Sequence, residues 1–234
     1  MIKAILFDLD GTLLKMDQEI FIKAYFAGLA KKLAPYGYDP QGLVKAVYQG
    51  TMAMQANDGK GTNEEIFWTE FEKLLGGEVK KHIDVFEDFY LKEFQLVENV
   101  CEKSKGAQKA VASLKDKFIL ALATNPVFPK IATQSRIRWA GLEEKNFALV
   151  TTYETDRFCK PTKEYYLSVA QRIGVKPEEC LMVGNDVDDD MPAKDVGMKV
   201  FLLTDCLINK TGVDISVYPN GNFDDLLMYI QKNS

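Results

Sequence analysis

Histidines and paired cysteines are scarce in this 234-residue sequence, which contains one histidine, His82, and four cysteines. The cysteines lie far apart and form no C-x-x-C pair. These absences make a structural zinc site or a histidine-based catalytic triad hard to build. We therefore expect reduced thiols in a cytoplasmic protein.

Long hydrophobic runs are also absent, so the sequence predicts no membrane-spanning helix. Asp8 interrupts the apolar N-terminal run before it reaches the length of a secretory signal, and we therefore expect no export. Basic residues are not in excess, because 29 lysines and arginines accompany 34 acids and the net charge is -5. This balance argues against a general nucleic-acid-binding protein. The sequence thus predicts no nucleic-acid or membrane partner and leaves the oligomeric state open.

Short apolar runs alternate with helical patterns along most of the chain. Predicted strands cover residues 2–7, 118–123, 148–151, 181–183 and 199–203, whereas predicted helices cover residues 107–115, 130–140, 163–173 and 190–196. Strands that alternate with helices of this length predict an α/β fold with a Rossmann-like parallel sheet.

One part of the sequence, from about residue 18 to 95, shows helical patterns and no convincing strand. Asp39 before Pro40 is typical of a helix start, and Thr62 followed by Glu65 fits a capping box. We predict an α/β core from residues 1–15 and 97–234, interrupted by a helical cap from residues 16–96.

The first predicted strand runs into Asp8-Leu9-Asp10-Gly11-Thr12. Two carboxylates two residues apart can face the same space, where one attacks phosphorus and the other protonates the leaving oxygen. Gly11 would let the backbone turn and bring an N–H near a phosphate oxygen. The alternative interpretation is a polar turn whose aspartates accept hydrogen bonds from nearby amides.

Three later positions also follow predicted strands. Thr124 and Asn125 carry donors for phosphate oxygens, and Lys160 could balance the charge of Asp8 and a phosphate. Residues 184–190, Gly-Asn-Asp-Val-Asp-Asp-Asp, concentrate oxygen ligands suited to Mg²⁺. A calcium-binding EF-hand is rejected because Met191 replaces the required glycine and Gly197 stands at the position of the bidentate glutamate.

Four motifs follow one another along the chain: D-x-D-G-T, a later threonine, Lys-Pro and an acidic G-N-D-x-x-D. In this order and spacing they resemble the haloacid dehalogenase-like hydrolase superfamily over essentially the whole chain. The resemblance implies a Mg²⁺-dependent phosphatase with an α-helical cap, acting on a small phosphorylated metabolite. It implies that Asp8 is the nucleophile and Asp10 the general acid and base, whose pKa we predict to be raised. Lys160 is implied as a catalytic residue, and phosphate binding is assigned to Gly11, Thr12, Thr124 and Asn125.

The metal site implied by the resemblance joins Asp8 and the backbone carbonyl of Asp10 to the acidic loop. Many relatives have Gly-Asp where this chain has Gly184-Asn185. Either Asn185 binds the metal through its amide oxygen or Asp186 does, and we favour Asp186. Asp189 would then either contact a metal ligand without binding the metal itself or orient Lys160.

Other functions remain open at the level of sequence. A phosphosugar mutase of the same superfamily would share this machinery, and a non-catalytic binding module could keep the fold. Relatives with dehalogenase chemistry lack the second aspartate that Asp10 supplies, which argues against that activity. A phosphonate hydrolase would need a lysine in the cap that forms a Schiff base.

Overall fold

The computed structural model describes residues 1–233. Strands occupy Ala4–Phe7 (β1), Leu14–Met16 (β2), Cys101–Lys103 (β3), Ile119–Leu122 (β4), Leu149–Val150 (β5), Cys180–Gly184 (β6), Lys199–Leu203 (β7) and Asn220–Gly221 (β8). Within these residues the main sheet has the order β5-β4-β1-β6-β7-β8, and all its strand pairs are parallel. The predicted α/β fold with a Rossmann-like parallel sheet is therefore confirmed.

Helices connect and cover these strands. They occupy Gln18–Leu33 (α1), Pro40–Gln55 (α2), Asn63–Leu75 (α3), Ile83–Leu91 (α4), Lys105–Leu114 (α5), Lys130–Trp139 (α6), Lys163–Arg172 (α7) and Phe223–Asn233 (α8). Short 3-10 turns lie at Ala34–Tyr36, Gly77–His82, Glu93–Val100, Glu144–Asn146, Pro177–Glu179, Met191–Val196 and Ile215–Val217. No helix in this part of the chain is long and apolar enough to cross a membrane.

The central strand, β1, is buried on both faces, and all four of its residues are inaccessible to solvent. Because side chains alternate along a strand, Ile5 and Phe7 pack on one side with α5, α6 and α8. Ala4 and Leu6 pack on the other side with α7. This burial explains why the strand is a continuous apolar run.

Residues 18–100, here called the helical segment, contain α1 to α4 and join the core on the α5 and α6 side of the sheet. The helix start predicted at Asp39 is confirmed, since the Asp39 side chain accepts the Gly42 N–H at the N-terminus of α2. The predicted Thr62–Glu65 capping box is also present, at the N-terminus of α3. Strands β2 and β3 pair antiparallel where the chain enters and leaves this segment. The domain boundaries at residues 16 and 96 stay a prediction.

Two parts of the fold differ from the sequence-based expectation. The helix predicted over residues 190–196 is a 3-10 turn, Met191–Val196, with Pro192 in its first turn and Gly197 in a left-handed conformation at its end. The elements β2, β3 and β8 were not predicted because two or three residues are too few to show a periodicity.

Candidate active site

The candidate site lies at the carboxyl ends of adjacent strands. β1 lies between β4 and β6 in the sheet. Asp8 directly follows β1, Thr124 lies two residues beyond β4, and Asn185 directly follows β6. This edge of a parallel sheet is where α/β proteins commonly bind ligands. The topology therefore gathers residues that are far apart in the sequence.

Lys160 is a buried cation beside Asp8. Its Nζ donates to Asp8 Oδ1 at 2.8 Å and to Asp190 Oδ1 at 2.6 Å. Burial alone would lower the pKa of Lys160, but the adjacent Asp190 and Asp8 carboxylates raise that pKa well above its usual value. The ammonium group thus stays charged and sits directly beside the predicted nucleophile.

The acid that contacts the lysine is Asp190, whereas the sequence left Asp189 either to lie behind the metal ligands or to orient Lys160. Asp190 is 1% exposed, and its second oxygen accepts the Asp186 N–H at 3.0 Å. Asp189 instead accepts a hydrogen bond from the side-chain amide of Asn125 at 3.2 Å. Adjacent acids in a turn point in different directions, and their spacing in the sequence does not reveal which one faces inward.

Asp10 forms an ion pair with Arg136, whose Nη1 donates to Asp10 Oδ2. The other carboxylate oxygen, Oδ1, is buried and has no hydrogen-bond partner within the described chain. Burial raises the pKa of Asp10 most strongly; Arg136 lowers it and Asp8 raises it, so that the pKa lies above its usual value. The direction predicted from the sequence is confirmed.

Arg136 is a residue that sequence reasoning missed. It is fully buried on α6, and its guanidinium lies 4.4 Å from the centre of the Phe128 ring. Nη2 also donates to Thr133 Oγ1 at 3.1 Å. Ala132 and Ile137 share its buried helix face, so the helical periodicity alone would have pointed this charge inward. A charged residue on an apolar face needs a buried partner, and here the partner is Asp10.

Gly11 and Thr12 hold the turn against Asn185. The Gly11 N–H donates to Leu14 O at 2.8 Å, so this amide already has a partner within the turn. Gly11 has φ +83°, and a side chain there would collide with the Asn185 amide. The Thr12 hydroxyl donates to Asn185 Oδ1 at 2.8 Å.

The two alternative metal ligands have different surroundings. Asn185 is 1% exposed and faces the first motif through Thr12, while its Nδ2 donates to Cys206 O at 2.7 Å. Asp186 Oδ1 instead accepts N–H groups of its own loop, from Asp188 at 2.8 Å and Asp189 at 3.2 Å. Within residues 1–233, no three His, Cys, Asp or Glu residues gather into a metal-binding group.

The loop after β4 contributes Thr124 and Asn125. Thr124 is buried, and its carbonyl accepts hydrogen bonds from the hydroxyls of Thr151 at 2.7 Å and Tyr165 at 2.9 Å. Asn125 Oδ1 is buried without a hydrogen-bond partner in the described chain. Together with Asp10 Oδ1, it is a buried oxygen that protein atoms leave unpaired.

A polar cleft of about 810 Å³ opens onto one side of the site. Its lining includes Asp10, Gly11 and Asn185 together with Lys15 and Lys210. Lys15 Nζ is paired with an Asp205 carboxylate at 2.6 Å. The cleft thus connects the candidate general acid with solvent through walls that carry both signs of charge.

The helical segment is attached to the site loops by Asn63, the first residue of α3. This side chain is fully buried and donates to Pro126 O at 3.1 Å and to Cys159 Sγ at 3.4 Å. It also accepts a hydrogen bond from Asn57 Nδ2 at 2.9 Å. The loop after β4 and the residues leading to Lys160 are therefore connected to the helical segment through one amide.

A family model described as haloacid dehalogenase-like hydrolase matches residues 2–197. No curated protein sequence matches the chain. A 2-haloacid dehalogenase from Pseudomonas syringae pv. Tomato DC3000 is similar in structure, with 19% identity, coverage of 100% of both chains and a TM-score of 0.67.

Two further solved structures are similar to this chain. A HAD phosphatase from Thermococcus onnurineus has 21% identity, 98% coverage of both chains and a TM-score of 0.60. The candidate HAD-hydrolase YfnB from Bacillus subtilis, bound to magnesium, has 21% identity, 98% coverage of both chains and a TM-score of 0.56. At this identity the similarities establish the fold, and they include both dehalogenases and phosphatases.

Proposed function

Because the chain belongs to the haloacid dehalogenase-like hydrolase family, we propose that it hydrolyses a small phosphomonoester through a phosphoryl group carried on Asp8. The arrangement of Asp8, Lys160 and Asp190 carries this proposal. A carboxylate that attacks a phosphate dianion meets like-charge repulsion, and the buried Lys160 ammonium offsets it at a distance of 2.8 Å. Two such charges at one strand end would be costly to bury without a function that uses them.

In the first half-reaction, an Asp8 oxygen forms a bond to phosphorus while the bond from phosphorus to the leaving oxygen breaks. A proton on Asp10 passes to that leaving oxygen, so that an alcohol is released. The unpaired Oδ1 of Asp10 suits this transfer, because Arg136 occupies only Oδ2. Burial, which raises the pKa of Asp10, also favours the protonated form that this step needs.

In the second half-reaction, Asp10 accepts a proton from water as the water oxygen attacks phosphorus. The bond between phosphorus and the Asp8 oxygen breaks, which releases phosphate and restores both side chains. The Arg136 guanidinium fixes the Asp10 carboxylate in place during both proton transfers. Thr124 and Asn125 lie at the adjacent strand end and are proposed to bind phosphate oxygens.

Magnesium fits this site through the chemistry of its donors, which are all oxygens. We assign the ion to Asp8, the backbone carbonyl of Asp10 and the amide oxygen of Asn185. This ligand set replaces Asp186, which the sequence alone favours, with Asn185. The reason is that Asn185 Oδ1 faces Thr12 of the first motif, whereas Asp186 Oδ1 is held by amides of its own loop. Bound Mg²⁺ would neutralise charge on the phosphate oxygens.

The position of solvent oxygen tests the reaction directly. We propose a single turnover in ¹⁸O-water, followed by mass spectrometry of the released phosphate and of the peptide that contains Asp8. Attack of water on phosphorus places the label in phosphate and leaves Asp8 unlabelled. A dehalogenase that hydrolyses an ester at the acyl carbon would label Asp8, and this result would refute the proposal.

A further inference from the structure

A second cavity, of about 520 Å³, lies between the helical segment and the loop after β4. We call it the aromatic pocket, and its aromatic walls include Tyr25, Phe67, Trp68, Tyr90, Phe128 and Tyr153. Asp8 and Asp10 do not line it. Its volume is that of a small-molecule site, and the reaction described above leaves it without a role.

Three carboxylates line this mainly apolar cavity: Glu64, Glu87 and Glu154. Glu154 Oε1 accepts the Lys130 N–H at 2.7 Å, but its Oε2 is buried without a hydrogen-bond partner in residues 1–233. The cation that lines the pocket is Lys130, whose ammonium lies 3.6 Å from Glu144 instead. The pocket therefore has an excess of negative charge inside aromatic walls.

These acids are close enough to affect one another. Burial raises the pKa of Glu64, and the negative charges of Glu154, Glu65 and Glu87 raise it further. Like charges around one cavity destabilise the ionised forms unless a positive group lies between them. The charges around the cavity thus favour a cation over an anion.

We propose that the aromatic pocket binds a small organic cation, in which an ammonium group is joined to an apolar body. Aromatic faces attract cations that lie over the ring, and Trp68 offers the strongest such surface. The carboxylates of Glu64 and Glu154 add charge complementarity on the same side of the cavity as Tyr153. A neutral ligand would bury these acids without a counter-charge, and an anion would be repelled.

One side chain, Phe128, links the pocket to the candidate active site. Phe128 forms part of the pocket wall, and its ring also lies against the Arg136 guanidinium that pairs with Asp10. Two sources of the cation fit this position: the alcohol portion of a phosphomonoester substrate, or a separate effector. Their shared chemistry is the ammonium group, and binding to the pocket does not depend on the proposed reaction.

The test is a fluorescence titration of the full-length protein with three probes of similar size: benzyltrimethylammonium, benzyl alcohol and phenylacetate. Trp68 lines the pocket, whereas Trp139, the other tryptophan, is 3% exposed in the core. We expect saturable quenching by the cation, with a Kd about tenfold lower than for the other two probes. A Trp68→Phe variant identifies the reporting residue, because it should lose the signal.

Matched variants test the role of the acids. Glu64→Gln and Glu154→Gln should each weaken binding of benzyltrimethylammonium by about three- to tenfold. Glu70→Gln is the control, because Glu70 lies on the same helix as Glu64 and pairs with Lys73 outside the pocket. Circular dichroism of every variant verifies folding. Equal affinity for the neutral or anionic probe, no saturable binding of the cation, or unchanged affinity in both acid variants would overturn the proposal.

A kinetic arm distinguishes the two sources. The probes are choline phosphate and its uncharged carbon isostere, 3,3-dimethylbutyl phosphate. If the pocket takes the substrate's alcohol portion, kcat/KM favours the charged ester and Glu64→Gln removes this preference. If it takes an effector, benzyltrimethylammonium changes the rate without competing with either ester. Failure of both esters to react would count against the proposed function. The binding titration would still show whether the aromatic pocket binds an organic cation.

Discussion

Arg136 holds one carboxylate oxygen of Asp10 from the buried face of α6 and leaves the other without a partner in the described chain. The residue proposed to transfer protons is thus fixed in orientation by a cation that solvent cannot reach. Arg136 also stacks on Phe128, which itself lines the aromatic pocket. A change in that pocket therefore has a physical route to Asp10 through two side chains.

Replacement of this arginine should destabilise the fold. Arg136→Met leaves the partly buried Asp10 carboxyl beside Asp8 without its counter-charge, and we expect a loss of about 3 kcal/mol in the free energy of unfolding. Arg138→Met is the control, because the side chain of this exposed neighbour on the same helix donates to the neutral Ser135 hydroxyl. Urea denaturation at neutral pH gives both values, and equal losses would contradict the account of the buried pair.

Asp190 and Asp189 should differ in their effect on catalysis, because only one of them is expected to orient Lys160. Asp190→Asn removes the negative charge that lies 2.6 Å from Lys160 Nζ, and we expect kcat to fall by about 10- to 100-fold. Asp189→Asn removes a charge that contacts Asn125 instead and should cause a smaller loss. Phosphate release by each variant is the measurement. A larger loss in Asp189→Asn would restore the assignment made from the sequence.

Much of the fold and part of the site could be predicted because the relevant signals are local. The apolar run before Asp8 and the strand-then-polar pattern at Thr124 and Asn185 follow from burial and from the end of a strand. A parallel sheet then brings these ends together without further information. The sequence therefore predicts with few assumptions which strand ends come together at the candidate site.

The side-chain partners could not be predicted in the same way, because they depend on long-range geometry. Arg136 is 126 residues from Asp10, and nothing in either local sequence links them. Asp190 and Asp189 are adjacent, and only the path of the turn after β6 decides which one meets Lys160. The aromatic pocket likewise needs the packing of the helical segment against the core.

The buried amide of Asn63 should stabilise the junction between the helical segment and the site loops. Asn63→Ala removes the donor to Pro126 O and the acceptor for Asn57, and we expect a loss of about 2 kcal/mol. Asn209→Ala, which removes hydrogen bonds within one exposed loop, should cost less than about 1 kcal/mol. Thermal unfolding compares the two variants, and the account requires Asn63→Ala to be the less stable.

The acids of the aromatic pocket should make stability depend on pH. The pKa of Glu64 is raised in the folded state, first by burial and then by neighbouring acids, so the folded protein binds this proton more tightly than the unfolded chain. Stability from this group is greatest below the ordinary glutamate pKa and falls as pH rises through the raised pKa. Glu64→Gln removes this loss.

We therefore compare the free energy of unfolding of Glu64→Gln with that of wild type, and expect the difference to shift in favour of the variant between about pH 4 and about pH 7.5. The shift should be less than about 1 kcal/mol because the Glu64 side chain is partly exposed. Denaturation of wild type and variant at both pH values checks this sign. A difference between the two proteins that stays constant with pH, or shrinks as pH rises, would contradict the raised pKa.

The most direct test of the central claim is phosphate release from a panel of small phosphomonoesters, measured with Mg²⁺ or with EDTA. Wild type, Asp8→Asn and a control, Asp116→Asn, are compared, since Asp116 is exposed in the loop after α5. The account predicts metal-dependent release by wild type and Asp116→Asn, with a loss of at least about a thousandfold in Asp8→Asn. Release that persists unchanged in Asp8→Asn would contradict the proposed role of Asp8.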